Sequence, residues 1–331
     1  MSYDLYVELR GETDKDVDAI VNGHHRGIAI PDVFERIRLL AGVAARDEDG
    51  DKGEHRRRDG RRRRRGVAAR DEDEDKGAKV KDYAVSGDRK QGGGYKQLVH
   101  APKPEDTSYA KELIRPALEQ LRSLHLIPVV PDLHALPPGS WFLQFTFTLA
   151  KPWISKDDDP FYVAESVNPV RKDKVFKVPM MSAASWKGLL RWTVMHIRLA
   201  KGAIASPEKF AQERFVQTLL FGDEKGEEPS GTKDFAAYLD ALNPQARQEY
   251  ERLLRAYYDL KTDDPLPHHS GRLVFYPTFF NLIDVEVINP HSRETRAGTH
   301  PIYLECVPAG AQGTFSLLYV PFDLIGEDED E

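Results

Sequence analysis

The densest run of chemistry-bearing residues lies between Asn168 and Arg191, NPVRKDKVFKVPMMSAASWKGLLR. Arg171, Lys172, Lys174 and Lys177 stand in a loop that Pro179 closes. A turn of small residues, Ser182-Ala-Ala-Ser185, then leads into a helix carrying Lys187 and Arg191. Four residues apart, those two cations share one helix face near its N-terminus. Exposed amides at a helix start, flanked by cations, form a natural phosphate site. Gly188 would let another backbone come close. An ordinary solvated basic face on a core helix has the same pattern, so both readings stand on these residues alone.

Other candidates are more scattered. The loop before Asn168 holds Asp157, Asp158, Asp159 and Glu165. Carboxylates there could serve acid–base or metal-assisted strand cleavage, and a solvated acidic loop is the plainer reading. A polar loop between two strands near the C-terminus supplies His291, Arg293 and Arg296. His24-His25 and His268-His269 are adjacent pairs without the i,i+4 spacing of a helical metal site, and they read as surface histidines. Trp153, Trp186 and Trp192 could stack on bases, with core packing the default for each. Cys306 is the one cysteine and sits in an apolar strand, where it reads as buried. A single cysteine excludes a disulfide framework and a Cys-based zinc site. Gly92-Gly93-Gly94 lies in polar surroundings rather than between strand and helix, so no phosphate-cradling or dinucleotide fingerprint is present. No metal and no cofactor is expected.

The elements that would position these residues can be read from periodicity. Tyr3–Leu9 alternates as a short strand does, and Gly11 ends it. Ile30, Val33, Ile37 and Leu40 have helical spacing after Pro31. Tyr109–Leu126 is predicted helical, capped by Thr107 or Ser108, with Pro116 forcing a kink or a later start. Pro128, Pro131, Pro137, Pro138 and Gly139 mark a linker. Trp141–Leu149 alternates as a half-buried strand. Helices are predicted over Ser185–Leu199, Pro207–Leu220 and Phe235–Leu260, and strands over Arg272–Phe280, Ile283–Ile288, Ile302–Val307 and Thr314–Val320. That order predicts an α+β fold, a ferredoxin-like, RNA-recognition-motif-type sheet with a helical insertion.

The chain has 331 residues and a formal net charge of −7, which at face value argues against a nucleic-acid partner. The charge is unevenly placed. Residues 141–322 hold 21 Lys+Arg and 22 Asp+Glu, close to neutral, whereas Asp323 and Glu327–Glu331 add six acids in a tail read as solvated. Residues 42–53 and 66–77, GVAARDEDGDKG and GVAARDEDEDKG, are near-copies flanking an arginine-rich run. Two such copies have too few large apolar residues to bury a core, so residues 42–103 are expected to be a low-complexity disordered insert. The expected organisation is an N-terminal extension over 1–140, a folded domain over 141–322 and an acidic tail over 323–331. No apolar run approaches the roughly 20 residues that span a bilayer, and the N-terminus has no apolar signal region. A soluble, cytoplasmic protein is expected.

Four segments, taken in order, resemble the RAMP superfamily, the repeat-associated proteins that form the backbone of type III CRISPR effector complexes. They are Asn168-Pro169-Val170 with Asp173, Val178-Pro179, Ser185-Trp186-Lys187-Gly188 and Arg191; Phe221-Gly222; Gly271-Arg272-Leu273; and the Gly310/Gly313 turn before the last strand. The resemblance covers roughly residues 140–322. The Asn289-Pro290-His291 turn is most similar to the capping-end backbone subunit of Cmr-type complexes. The resemblance implies a domain that grips guide RNA, stacks on neighbouring effector subunits and meets target RNA. By it, Ser185, Lys187 and Arg191 belong to the guide-contacting helix start, and Arg171, Lys172 and Lys174 to the adjoining loop. Target-cleaving relatives carry an aspartate directly before the Asn-Pro-Val element, where this chain has Val167. A non-catalytic, RNA-binding subunit is therefore expected, with a metal-dependent endoribonuclease of the same superfamily, using Glu165 and Asp157–Asp159, as the alternative.

Overall fold

The computed structural model describes residues 13–44, 79–80, 83–84, 94–157, 167–200, 206–224, 235–291, 293 and 302–325. In chain order these form α1 (Asp14–Val21), β1 (His24–His25), β2 (Ile28–Ala29), α2 (Val33–Ala44), α3 (Gly94–Val99), α4 (Arg115–Ser123) and β3 (Trp141–Thr148). Then follow β4 (Val167–Asn168), β5 (Met180–Met181), α5 (Ala183–Met195), α6 (Pro207–Phe221), α7 (Phe235–Leu242) and α8 (Ala246–Tyr257). The C-terminal part is β6 (Leu273–Phe275), β7 (Thr278–Phe279), β8 (Asp284–Ile288), β9 (Ile302–Cys306) and β10 (Gln312–Tyr319). Helices combine with small, mainly antiparallel sheets, so the fold is α+β. No helix among the described residues is long and apolar enough to cross a membrane.

The chain divides into two compact units. The first takes the described residues of Met1–Ile127, Phe147–Met180 and Phe279–Gly313. Its sheet has β9 in the middle, parallel to β4 (Val167 opposite Tyr303) and antiparallel to β8 (Asp284 opposite Cys306). The helices bury Val17, Ile20, Ile37, Leu40, Leu98, Ile114 and Leu121 in the same unit as Ile283 and Cys306. A Thr13/Asp16 capping box starts α1 by satisfying its first amides. Arg36 in α2 reaches across to Glu112 at 3.0 Å. Before α4 the backbone makes a π-helical turn, Tyr109–Ile114, in which the Arg115 N–H reaches back five residues to Ala110. The helix regains α geometry at Pro116, whose missing N–H costs least in a first turn.

The expected disorder over 42–103 is corrected at both ends. Residues 42–44 complete α2, and Gly94–Val99 is a helix that buries Tyr95, Leu98 and Val99. Its apolar residues are enough to hold it in the core, and two polar links add to that. The Tyr95 hydroxyl donates to Glu305 of β9, and His100 meets Asp284 of β8 at 2.6 Å. The duplicated segment between these ends, and Tyr3–Leu9, lie outside the described residues.

The second unit takes Pro128–Thr146, Met181–Thr278 and the described residues of Thr314–Glu331. Here β10 lies between β3 and β6, antiparallel to β6 with Leu317 opposite Phe275. Trp141 stacks on Tyr319, and Phe145 meets Phe315, so the two strands run in opposite directions. Beside this sheet, α6, α7 and α8 enclose Met195, Leu199, Phe210, Leu239, Tyr250 and Leu254. Arg214 is buried there, bridging Glu224 and Asp240 at 2.7 Å each with its guanidinium 4.2 Å from the Tyr250 ring. The predicted helix over 235–260 is two helices, because Pro244 cannot continue α7. The predicted strand over 272–280 is likewise split, at Tyr276-Pro277. Asp323, assigned from sequence to a solvated tail, is an anchor: it receives two N–H groups of Arg272, each at 2.8 Å.

Candidate nucleic-acid interface

The predicted site residues fall in both units. In the first, residues 171–180 form a hairpin. The Met180 N–H donates to the Arg171 carbonyl at 2.9 Å, and the Asp173 N–H to Val178 at 2.9 Å. The Asp173 carboxylate turns the tip by accepting the amides of Val175 and Phe176 at 2.8 and 2.7 Å. Lys177 takes a left-handed conformation at φ 56°, and its carbonyl accepts the Tyr109 hydroxyl at 2.8 Å. This geometry leaves Arg171 and Lys174 exposed.

Lys172, expected beside them at the RNA, points the other way. It is 3% exposed, and its ammonium is paired with the equally buried Glu305 carboxylate. The same carboxylate accepts the Val170 N–H at 2.9 Å. Strand alternation is the reason: neighbours on an extended backbone face opposite sides, so Arg171 goes out and Lys172 goes in. Lys172 is therefore withdrawn from the RNA-contacting set.

In the second unit the other three cited residues lie together on α5. Ser182, the N-cap, accepts the Ser185 N–H at 3.1 Å, and the two hydroxyls meet at 2.9 Å. Trp186 packs into the unit's core, its ring 4.8 Å from Phe315 and its N–H donating to Thr278 at 2.9 Å. One residue on, Lys187 is half-buried beside Arg191. Burial first, and the Arg191 charge second, hold its pKa below the usual lysine value, while Asp223 works in the opposite direction. An anion arriving there would relieve the repulsion between the two cations.

Arg191 has a different task from the one expected. Its guanidinium donates to the carbonyls of Asp223 at 2.9 Å and Gly222 at 3.1 Å, and lies 4.7 Å over the Phe235 ring. Gly222 ends α6 with φ 83°, and Arg191 takes up the carbonyls of the turn that follows the helix. Against that turn lies Gly271: a Cβ added there would stand 2.4 Å from the Phe221 carbonyl carbon and 2.5 Å from the Gly222 nitrogen. Three separately noticed segments, Ser-Trp-Lys-Gly with Arg191, Phe221-Gly222 and Gly271-Arg272-Leu273, thus lock into one local structure. Hydrogen bonds to a charged donor each contribute about 1.5–3 kcal/mol. Arg191→Ala is accordingly expected to destabilise the second unit by about 2 kcal/mol or more, read as a lower denaturation midpoint in urea. An unchanged midpoint would show that the clamp carries no stability.

Asp223 and the histidine pair were missed as partners. Asp223 accepts the His269 N–H at 2.9 Å and meets the His268 ring at 3.1 Å. His269 is buried against Tyr258, and His25 is buried in the first unit, so only the first histidine of each pair is exposed, not both. Nothing in the local sequence distinguishes the two members of a pair, and the packing decides it.

Of the carboxylates, Asp157 accepts the Lys172 N–H at 3.3 Å, which ties it to the hairpin. Asp158, Asp159, Glu165 and Arg296 lie outside the described residues. Val167 is in β4, opposite Tyr303. His291 and Arg293 belong to the first unit and are exposed. No group of three or more metal-ligating side chains occurs among the described residues.

No protein-family model and no curated protein matches this chain. Among solved structures, it is similar to a chain of the Type III-B Cmr-beta complex bound to cognate target RNA. The identity is 12% and the TM-score 0.32, over 65% of this chain and 55% of that one. It is also similar to Cmr6 from Pyrococcus furiosus, at 12% identity and TM-score 0.26, over 57% of this chain and 87% of that one. A CRISPR RNA-guided surveillance complex, pre-nicking, gives 13% identity and TM-score 0.32, over 58% and 64%. The chain spans about half the length of the first of these. Every one of these TM-scores is below 0.5.

Proposed function

We propose that this chain is a non-catalytic, guide-RNA-binding backbone subunit of a type III CRISPR ribonucleoprotein effector, cytoplasmic and acting in antiviral defence beside other effector subunits. The observation that carries the reading is the interlock of three ordered segments around α5. It explains why Arg191, Gly222 and Gly271 have the identities they do, and it leaves Lys187 as the cation at the helix start. The chemistry fits sequence-independent binding, in which cations and amides take up phosphates whatever the bases. Arg171 and Lys174, at the hairpin of the first unit, supply two further exposed cations, and His291 and Arg293 add to the same unit's polar surface. A ferredoxin-like ancestry of the sheets is part of the same reading, as are the capping position in the complex and contact with target RNA.

The endoribonuclease alternative has less support. Val167 can neither bind a metal nor orient a 2′-hydroxyl, and Asp157 is engaged with the hairpin backbone. The experiment that tests the RNA reading is a titration of single-stranded RNA across a salt series. A lysine that neutralises one phosphate contributes about 0.7 to the salt slope on single strands. Lys187→Ala is expected to weaken binding and lower the slope by about that amount, with Lys187→Arg close to wild type. An unchanged slope and affinity in Lys187→Ala would remove α5 from the interface.

A further inference from the structure

Beyond the cations, α5 presents an aromatic surface that the phosphate contact does not use. Trp192 is 50% exposed and Leu189 48% exposed, although both follow the partly buried Trp186 on one helix. The Trp192 ring is held in place from within its own unit. It lies parallel to His196, 6.1 Å away with an interplanar angle of 11°, and 5.9 Å from the Tyr238 ring. Between Lys187 and Trp192 around the helix comes Gly188, at helical angles of about 100° and 140° from Lys187 for Gly188 and Trp192. A Cβ added at Gly188 would meet nothing within 4 Å beyond its own stretch of helix. Lys187, the bare Gly188 and the Trp192 ring are thus met in turn round the helix, through about 140°.

Resting on the RNA reading above, we propose that Trp192 is a base-stacking platform for the single-stranded RNA whose phosphate Lys187 holds. The gap at Gly188 admits the nucleotide between them. Every base has a π face, so an exposed aromatic ring on the helix that carries the phosphate-binding cation suits strands of any sequence. A ring already fixed by His196 and Tyr238 loses little freedom when the base arrives. The positive charge of Lys187 on the same helix favours a nucleic acid over an apolar protein surface as the occupant.

Four forms of the full chain test this by single-stranded RNA titration, followed by tryptophan fluorescence: wild type, Trp192→Ala, Trp192→Phe and Gly188→Ala. Trp192→Ala should lose about tenfold or more in affinity. Trp192→Phe should retain most of the affinity but lose much of the quenching that RNA causes in the wild type. Gly188→Ala should bind RNA more weakly while its denaturation midpoint stays the same or rises, because the methyl group meets only solvent and alanine favours the helix. That variant keeps the test open if Trp192→Ala fails to fold. Unchanged affinity in Trp192→Ala and Gly188→Ala, with binding still lost in Lys187→Ala, would overturn the platform and leave the phosphate contact standing. A wild-type chain that binds no RNA would overturn both.

Discussion

Replacing Glu305 with alanine is expected to destabilise the first unit by about 3–5 kcal/mol, the usual consequence of leaving one member of a buried ion pair behind. Glu305 and Lys172 are both almost wholly buried, and the carboxylate gathers three donors from two parts of the chain: the Lys172 ammonium and the Val170 N–H from one, the Tyr95 hydroxyl from the other. Burial pushes the Glu305 carboxyl up and the Lys172 ammonium down, each toward its neutral form, and the close contact between them is what opposes that neutralisation. With Glu305 gone, Lys172 must either lose its proton or carry an uncompensated charge. The check is equilibrium denaturation of Glu305→Ala, Lys172→Ala and the apolar pair Lys172→Met with Glu305→Leu. Both single variants should fall steeply and the pair should recover much of the loss, since apolar replacement of a whole buried pair is often neutral. Single variants within about 1 kcal/mol of wild type, the range of exposed pairs, would contradict the burial.

Gly271→Ala carries the second large effect. The added methyl would fall 2.4–2.5 Å from backbone atoms of Leu220, Phe221 and Gly222, none of which can swing aside as a side chain can. Overpacking typically costs about 1–3 kcal/mol, and a clash with backbone lies at the top of that range or above it. The expected result is a loss of about 3 kcal/mol or more, with Gly188→Ala, whose methyl meets open space, as the internal contrast. Equal stability of the two variants would mean that the Phe221-Gly222 turn and Gly271 are not in contact.

The sequence made the element types legible where periodicity was long and failed where a single residue decides. The helices over 183–195 and 207–221 and the strands over 284–288 and 302–306 came through, because apolar spacing repeats along each of them. Pro244 and Pro277 each stand inside an apolar run that resumes after them, so the spacing alone does not show the break. Gly94–Val99 was hidden by the polar company it keeps, though Tyr95, Leu98 and Val99 supply the anchors. At the candidate site, residue types were read correctly and directions were not. Lys172 and Arg191 looked like free cations because sequence cannot show that one faces Glu305 and the other clamps Gly222. What sequence did carry was the ordered set of motifs, and the structure gives part of it a physical basis: Arg191, the Phe221-Gly222 turn and Gly271 touch.

The most direct measurement of the central claim is recovery of the tagged full chain from cells that make it, with the bound RNA sequenced and the accompanying proteins identified. The expected result is a short RNA of uniform length together with other effector subunits, and loss of that RNA when Lys187→Glu reverses the charge at the start of α5. A chain recovered without RNA, or a Lys187→Glu chain that keeps its RNA in full, would contradict it.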